Sequence, residues 1–311
     1  MPTIAVAGGT GGIGRTIVEE LVNQGKHEVL VLSRKAVPIP GVSVPVIAVD
    51  YNDPKTLAAT LDQHKIEVVI STIVLISDDS SQSQLNLIAA ASGSKTVKRF
   101  IPSEYGTHNK PELLPQYPTM KWWVDAANAL RASKLEYTLV IIGFIMDYYG
   151  IPHVKSNLHS FKWILDFDNK RAIIPGDGTT KISFLFSADV AKYVVALLDL
   201  DRWPELSRFR GSTVTPKEMV EAAEKVTGTK WTVEYDSVED IAQGKVTVFK
   251  QPKGTYENVS DEELRVLVVW FNEFAIKGMF DLSEKEVMND KFPDIKPIRF
   301  QGLIESAWGK Q

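Results

Sequence analysis

The chain has 311 residues, 44% apolar and 24% charged, a globular balance that excludes disordered, collagenous and coiled-coil classes. At this length one large lobe or two unequal lobes are expected. Lys and Arg number 35 against 39 Asp and Glu, giving a net charge of −4 with no block of five like charges, so no nucleic-acid partner is expected. The absence of cysteine excludes a disulfide framework, a thiolate metal site and a cysteine nucleophile. The histidines His27, His64, His108, His153 and His159 form no ligand pair, and no protein-held metal is expected. Met1-Pro2-Thr3 runs straight into apolar Ile4-Ala5-Val6-Ala7 with no basic region or cleavage-like site. The most apolar run, residues 68–76, is far shorter than the roughly 20 residues of a spanning helix, so a cytoplasmic location without membrane contact is expected. Asn258-Val259-Ser260 matches a glycosylation acceptor and is read as a chance match.

Residues 3–7 read as a first strand, and Gly8-Gly9-Thr10-Gly11-Gly12-Ile13-Gly14 follows directly, ahead of a helical pattern over 13–24 that stops at Gly25. Strand, glycine loop and helix in succession form the context in which a glycine fingerprint carries meaning. The loop satisfies G-x-x-G-x-x-G through Gly8, Gly11 and Gly14, and G-x-G-x-x-G through Gly9, Gly11 and Gly14. Glycine permits the tight turn and lets backbone N–H groups approach a pyrophosphate at the positive end of the helix. The next strand, 28–33, ends at Ser33-Arg34-Lys35, where an NAD-binding chain needs a carboxylate for the ribose 2′-OH. No Asp or Glu lies between Glu28 and Asp50, and a guanidinium beside an ammonium suits a 2′-phosphate, so NADPH/NADP+ is the expected cofactor. Asp50, after a third strand at 44–49, either meets the adenine amino group or caps the following helix.

Pro54 opens a helix over 54–64; strands at 68–72, 99–102 and 137–142 then alternate with helices at 83–92 and 121–133. Alternation with right-handed crossovers gives an α/β, Rossmann-type doubly wound parallel sheet over residues 1–145. Residues 146–311 are expected to form mainly a smaller α+β substrate lobe, with a strand and helix near 181–198 returning to the main sheet. Within the lobe, Pro175-Gly176-Asp177-Gly178 is a turn, Thr215, Pro216 and Glu218 open a helix reaching Thr227, residues 231–235 form a strand, and residues 261–280 have helical spacing.

Ser103, Tyr117 and Lys121 are the candidate chemical groups. Tyr117 and Lys121 stand four apart, the spacing by which an ammonium lowers a phenol pKa from one helix face, while a serine hydroxyl positions a carbonyl. Pro118 directly after Tyr117 disfavours that helical conformation, so Tyr117 is either a proton donor or a loop tyrosine packed under the cofactor. Ser103 either positions substrate or caps the turn after its strand. Asp147, Tyr148, Tyr149, His153, Lys155, His159 and Trp163 offer rings with polar tips, suiting a flat aromatic or alkaloid-like ligand; ordinary lobe packing is the alternative reading of most of them. His153 is the one able to share proton transfer with Lys121.

The run from Gly8 to Arg15, then Val97-Lys98-Arg99-Phe100-Ile101-Pro102-Ser103-Glu104-Tyr105-Gly106, the helix-opening Lys121, Tyr137-Thr138 and Gly143-Phe144 together resemble the NmrA-like and isoflavone reductase-like atypical short-chain dehydrogenases/reductases. Gly176-Asp177-Gly178, Ala188-Asp189-Val190-Ala191 and Thr227-Gly228 extend the likeness to about residue 240. The resemblance implies NADPH bound across the glycine loop Gly8–Gly14, Arg34, Lys35 and the strand end at Thr72, Ile73 and Val74, with Ser33 and Asp50 as further candidate cofactor contacts from their places after the second and third strands. It also implies that Gln84 and Phe144 line the nicotinamide pocket, and that Lys121 is the catalytic lysine, passing a proton directly or through water, or polarising an oxyanion. The span from Lys121 to Tyr137 is slightly longer than in the plant reductases. A fold of this kind serves several ends. Retention of Ser103, Tyr117 and Lys121 favours an NADPH-dependent oxidoreductase of secondary metabolism acting on a small molecule. The alternatives are a redox sensor that binds NADP(H) and acts through a protein partner, and a biosynthetic enzyme using bound NADP(H) for a redox-neutral rearrangement.

Overall fold

Six parallel strands make up the main sheet: β1 (Thr3–Ala7), β2 (Glu28–Ser33), β3 (Val46–Ala48), β4 (Ile66–Ser71), β5 (Arg99–Ile101) and β6 (Glu136–Tyr137). Their order in the sheet is β3-β2-β1-β4-β5-β6. Ile4, Ala5, Val6 and Ala7 of β1 are wholly inaccessible, as expected of a parallel strand covered on both faces. The order reverses between β1 and β4, and the crevice at the carboxyl ends of these strands is where an open α/β sheet takes its ligand. The computed structural model describes residues 1–253, 255, 259–283 and 285–309; Asn258 of the glycosylation pattern lies outside them.

Helices α1 (Gly12–Gln24), α2 (Pro54–Gln63), α3 (Asp78–Gly93) and α4 (Lys121–Arg131) flank this sheet. Each buries one apolar stripe: Ile17, Val18 and Leu21 on α1, Leu57 and Leu61 on α2, Leu87 and Ile88 on α3, Val124 and Leu130 on α4. Helix α3 starts five residues before the predicted 83 because Ser77 and Ser80 form a capping box. The expected strand over 137–142 is two strands. β6 stays in the main sheet, whereas β7 (Leu139–Ile141) pairs with Leu206–Arg208. Buried Thr138 marks the break, its hydroxyl bonded to Ser207 Oγ at 2.7 Å.

The chain divides into two units, Met1–Ile141 with Val190–Ser207 and Ile142–Asp189 with Arg208–Gln311. In the second, Ile182–Leu185 pairs with Phe144–Ile145 and Ser212–Val214, so this strand does not return to the main sheet as expected. Aromatic packing fixes it there, with Phe184 edge-on to Phe144 and Tyr149 at 6.2 and 5.6 Å. Gly143 makes the approach feasible: its φ is +79° and a Cβ there would stand 2.2 Å from Ser183 O. Helix α5 (Ser187–Leu197) follows, and only from Val190 onward does it belong with the first unit. A second small sheet joins Leu165–Asp166, Arg171–Pro175 and Thr232–Asp236. The helix Pro216–Thr227 has the expected capping box and a left-handed Gly228 at its end. The last long helix runs over Asp261–Ile276, short of 280, since the chain turns at Gly278 with φ +66°.

Asp147 is buried and Glu104 half-buried, and neither is in an ion pair among the described residues. Asp147 is inaccessible and accepts from Ser156 Oγ at 2.6 Å, Ser187 Oγ at 2.5 Å and Ser187 N at 2.7 Å, while burial raises its pKa. Removing the acceptor orphans a buried backbone donor. Asp147→Ala should therefore lower stability by about 2–4 kcal/mol, read as a fall in urea midpoint at constant slope; a loss below about 0.5 kcal/mol, the scale of an ordinary surface change, would contradict this. The Glu104 carboxyl, after β5, accepts one hydrogen bond among the described residues, from Asn109 Nδ2 at 3.2 Å, and burial pushes its pKa from 4.5 up to about 8. The neutral acid is the form the fold favours, so its contribution is full below the unfolded value and is lost as pH rises toward 8. Glu104→Gln should shrink the drop in Tm between pH 5 and pH 8, and an equal drop in both proteins would refute the assignment.

Candidate functional site

The glycine loop is shaped by three close approaches and one opening. A Cβ on Gly8 would stand 2.8 Å from Thr72 O, one on Gly14 would stand 2.3 Å from Thr72 Oγ1, and one on Gly9 would stand 2.9 Å from Val31 Cγ2. Thr72 Oγ1 is itself fixed by donating to Ala7 O at 2.8 Å. These three glycines are demanded by the protein's own packing. Gly11 differs, because a Cβ there would meet nothing within 4 Å. It is the N-cap of α1 and offers no side-chain acceptor, and the first helical bond is Arg15 N to Gly11 O at 3.0 Å. The N–H groups of Gly12, Ile13 and Gly14 are thus first-turn donors with no intrahelical acceptor, at the positive end of the helix, beside open space. A phosphate fits this arrangement. Thr10 is exposed at the rim.

Arg34 and Lys35 follow half-buried Ser33 at the end of β2, both exposed and neither in an ion pair among the described residues. Arg34 lies close enough to Tyr51 to oppose, in part, the rise that burial imposes on the phenol. Tyr51 donates to Leu32 O at 3.0 Å and its carbonyl accepts from Asn86 at 2.8 Å, fixing the floor next to the two cations. Arg15, which closes the glycine run, bonds Glu19 Oε1 and Pro40 O, both at 2.9 Å, and so anchors the loop after Lys35 to α1. Asp50 does not cap α2. Its Oδ1 accepts from Asn52 N at 2.8 Å, while Asp53 caps the helix by accepting from Lys55 N and Thr56 N, both at 3.1 Å. The Asx turn at Asp50 moves the cap three residues along the chain.

At the end of β4, Thr72 is buried, Ile73 half-buried and Val74 exposed. Gln84 is inaccessible. Its Oε1 accepts from Ser71 Oγ at 2.9 Å and Ser103 N at 2.8 Å, tying the ends of β4 and β5 together, and its Nε2 has no partner among the described residues. Ser103 is half-buried and its hydroxyl makes no hydrogen bond among the described residues, so it does not cap the following turn. Tyr117 and Lys121 do not share a helix face. Pro118 excludes Tyr117 from the helical conformation, a 3-10 turn occupies Pro118–Met120, and α4 begins only at Lys121. Tyr117 is 2% exposed and packs in the interior, whereas the Lys121 side chain is 60% exposed. Lys121 Nζ lies 2.5 Å from Asp125 Oδ2, and this hydrogen bond and charge, with a further contribution from Asp78, hold the ammonium above the usual lysine range.

In the second unit Phe144 is buried at the centre of a ring cluster, 4.7 Å from Trp163, 5.3 Å from Phe271 and 5.4 Å from Phe280. Trp163 donates to Asn272 Oδ1 at 2.9 Å, and with Asp147 it serves packing. His153 is exposed, its ring edge-on to Trp308 at 4.4 Å; His159 and Lys155 are exposed as well. Among the described residues no helix is long and apolar enough to cross a membrane.

The chain matches the NmrA-like family over residues 1–302. It is 37% identical over 299 residues to the oxidoreductase BOA1 of Botryotinia fuckeliana, with 96% of each chain covered. To the oxidoreductase swnN of Metarhizium robertsii it is 31% identical over 341 aligned positions, covering 99% of this chain and 98% of the other. Among solved structures it is similar to AtPrR2 with NADP+ and (+)pinoresinol, with a TM-score of 0.72 at 24% identity over 98% of both chains. That likeness carries the Rossmann-type fold, and with a family match over nearly the whole length, the chain belongs to the NmrA-like family.

Proposed function

We propose that this protein is an NADPH-dependent oxidoreductase that reduces a small, flat aromatic or alkaloid-like secondary metabolite. The observation that carries the cofactor is Gly11: unlike Gly8, Gly9 and Gly14, its place is required by no protein atom, and it opens beside the first-turn donors of α1. Unpaired Arg34 and Lys35 at the end of β2 supply the positive charge that favours a 2′-phosphate over a 2′-hydroxyl. Support for redox chemistry comes from relatives named as oxidoreductases that span the same length. The aromatic class draws on the similar structure holding (+)pinoresinol.

When bound, NADPH supplies a hydride to a carbonyl or conjugated carbon of the substrate. The chain's own groups do the rest. First-turn N–H groups of α1 hold the pyrophosphate, and the clamp by Gln84 keeps the ends of β4 and β5 at a fixed spacing. The Ser103 hydroxyl, making no hydrogen bond among the described residues, is available to orient a substrate oxygen. Lys121 assists protonation of the atom that receives the electron pair, directly or through water.

Arg34→Ala should weaken NADPH binding by about 10- to 100-fold, the worth of a charge-assisted contact, and NADH binding by less than about twofold. Calorimetric titration separates the two, and equal losses would remove the 2′-phosphate assignment. Lys121→Met should lower turnover of NADPH with an aromatic substrate by about 10²- to 10⁴-fold while NADPH affinity stays within a few fold. Wild-type turnover in that variant would exclude Lys121 from the chemistry and direct attention to the sensor reading.

A further inference from the structure

Lys121 occupies a position that helix energetics disfavour. The first turn of a helix is its positive end, where a cation is repelled. A lysine placed four residues before its acidic partner is also in the weaker of the two pair orientations. Asp125, one turn along α4, lies 2.5 Å from this ammonium, and Asp78, at the start of α3, the helix packed against α4, adds a weaker favourable charge. Asp78 is fixed in turn by Trp122, whose Nε1 donates to Asp78 Oδ1 at 2.7 Å. The residue after the lysine thus secures the second carboxylate, and the first lies one turn away on the same helix.

Such surroundings are wrong for a general acid, which works best when its pKa lies near the working pH. They suit a group that stays charged. An ammonium has three donors; Asp125 takes one and leaves two for a substrate oxygen. We propose that Asp125 is a positioning residue that keeps Lys121 a fixed ammonium, so that Lys121 acts by its charge and the balancing proton comes from water. This rests on the catalytic reading of Lys121 given above. For a carbonyl substrate, hydride forms the new C–H bond and the π pair of the C=O moves to oxygen beside the ammonium. That oxygen takes a proton from water, the hydroxide left is neutralised by buffer, and all three protons of Lys121 stay in place.

The test compares Asp125→Asn, Lys121→Arg and Lys121→Met in the full chain by two readouts. The first is the titration of Lys121 Nζ by ¹⁵N-lysine NMR without cofactor, assigned as the resonance missing from Lys121→Met. The second is turnover of NADPH with an aromatic substrate between pH 6 and 9. Asp125→Asn should lower the titration midpoint by about half a pH unit and reduce kcat several-fold with NADPH affinity unchanged. Lys121→Arg should keep at least about a tenth of the turnover with a flat profile, because a guanidinium supplies charge but no proton in this range. An unmoved midpoint in Asp125→Asn, or a Lys121→Arg variant as inactive as Lys121→Met, would overturn the proposal. Full turnover in Lys121→Met would overturn the catalytic reading itself, whatever the titration shows.

Discussion

The close approach of the first loop to the end of β4 is the constraint on which the first unit depends. Thr72 reaches across to Ala7 O, and Gly8 and Gly14 are the residues that leave room for it. A side chain at either position would push β1 and β4 apart where the strand order reverses. That reversal opens the ligand crevice, so the packing that closes the sheet also brings the free donors of α1 to its edge. Gly11 takes no part in the packing. Its freedom from protein contact separates it from Gly8, Gly9 and Gly14, which build the fold, a distinction the motif alone does not draw.

The alternation of strands and helices in the first half was legible because parallel strands buried on both faces leave unbroken apolar runs, as at Ile4 to Ala7 and Val68 to Ile70. What was hidden depended on single polar residues. Ser77 and Ser80 extend α3 backward through a capping box, Thr138 splits one apolar run between two sheets, and Asp53 rather than Asp50 caps α2. In each case the apolar periodicity is unchanged and a side-chain hydrogen bond sets the boundary. The same holds at the site. Arg34, Lys35 and the loop glycines follow from local context, whereas the clamp made by Gln84 joins positions 71, 84 and 103 through bonds that no spacing reveals.

The pair Tyr117 and Lys121 illustrates how a spacing misleads. Four residues apart implies a shared face only if the intervening turn is α-helical, and Pro118 replaces that turn with a 3-10 segment. Tyr117 therefore goes inward and Lys121 outward. The partner that matters to Lys121 lies on its other side, at Asp125, where the helix is regular and the four-residue rule applies.

Buried carboxyls and the exposed ammonium are treated in opposite ways by this fold. Asp147 and Glu104 form no ion pair among the described residues, and burial favours their neutral forms. Lys121 is left in solvent and given two carboxylates, which favours its charged form. A chain needing Lys121 only for solubility has no reason to place it at the positive end of a helix and then to offset that placement from two helices. The opposition is between carboxyls whose charge burial disfavours and one exposed group whose charge its neighbours favour. Charge at that point is useful where electron density collects on a substrate oxygen, and it needs no proton of its own to be so.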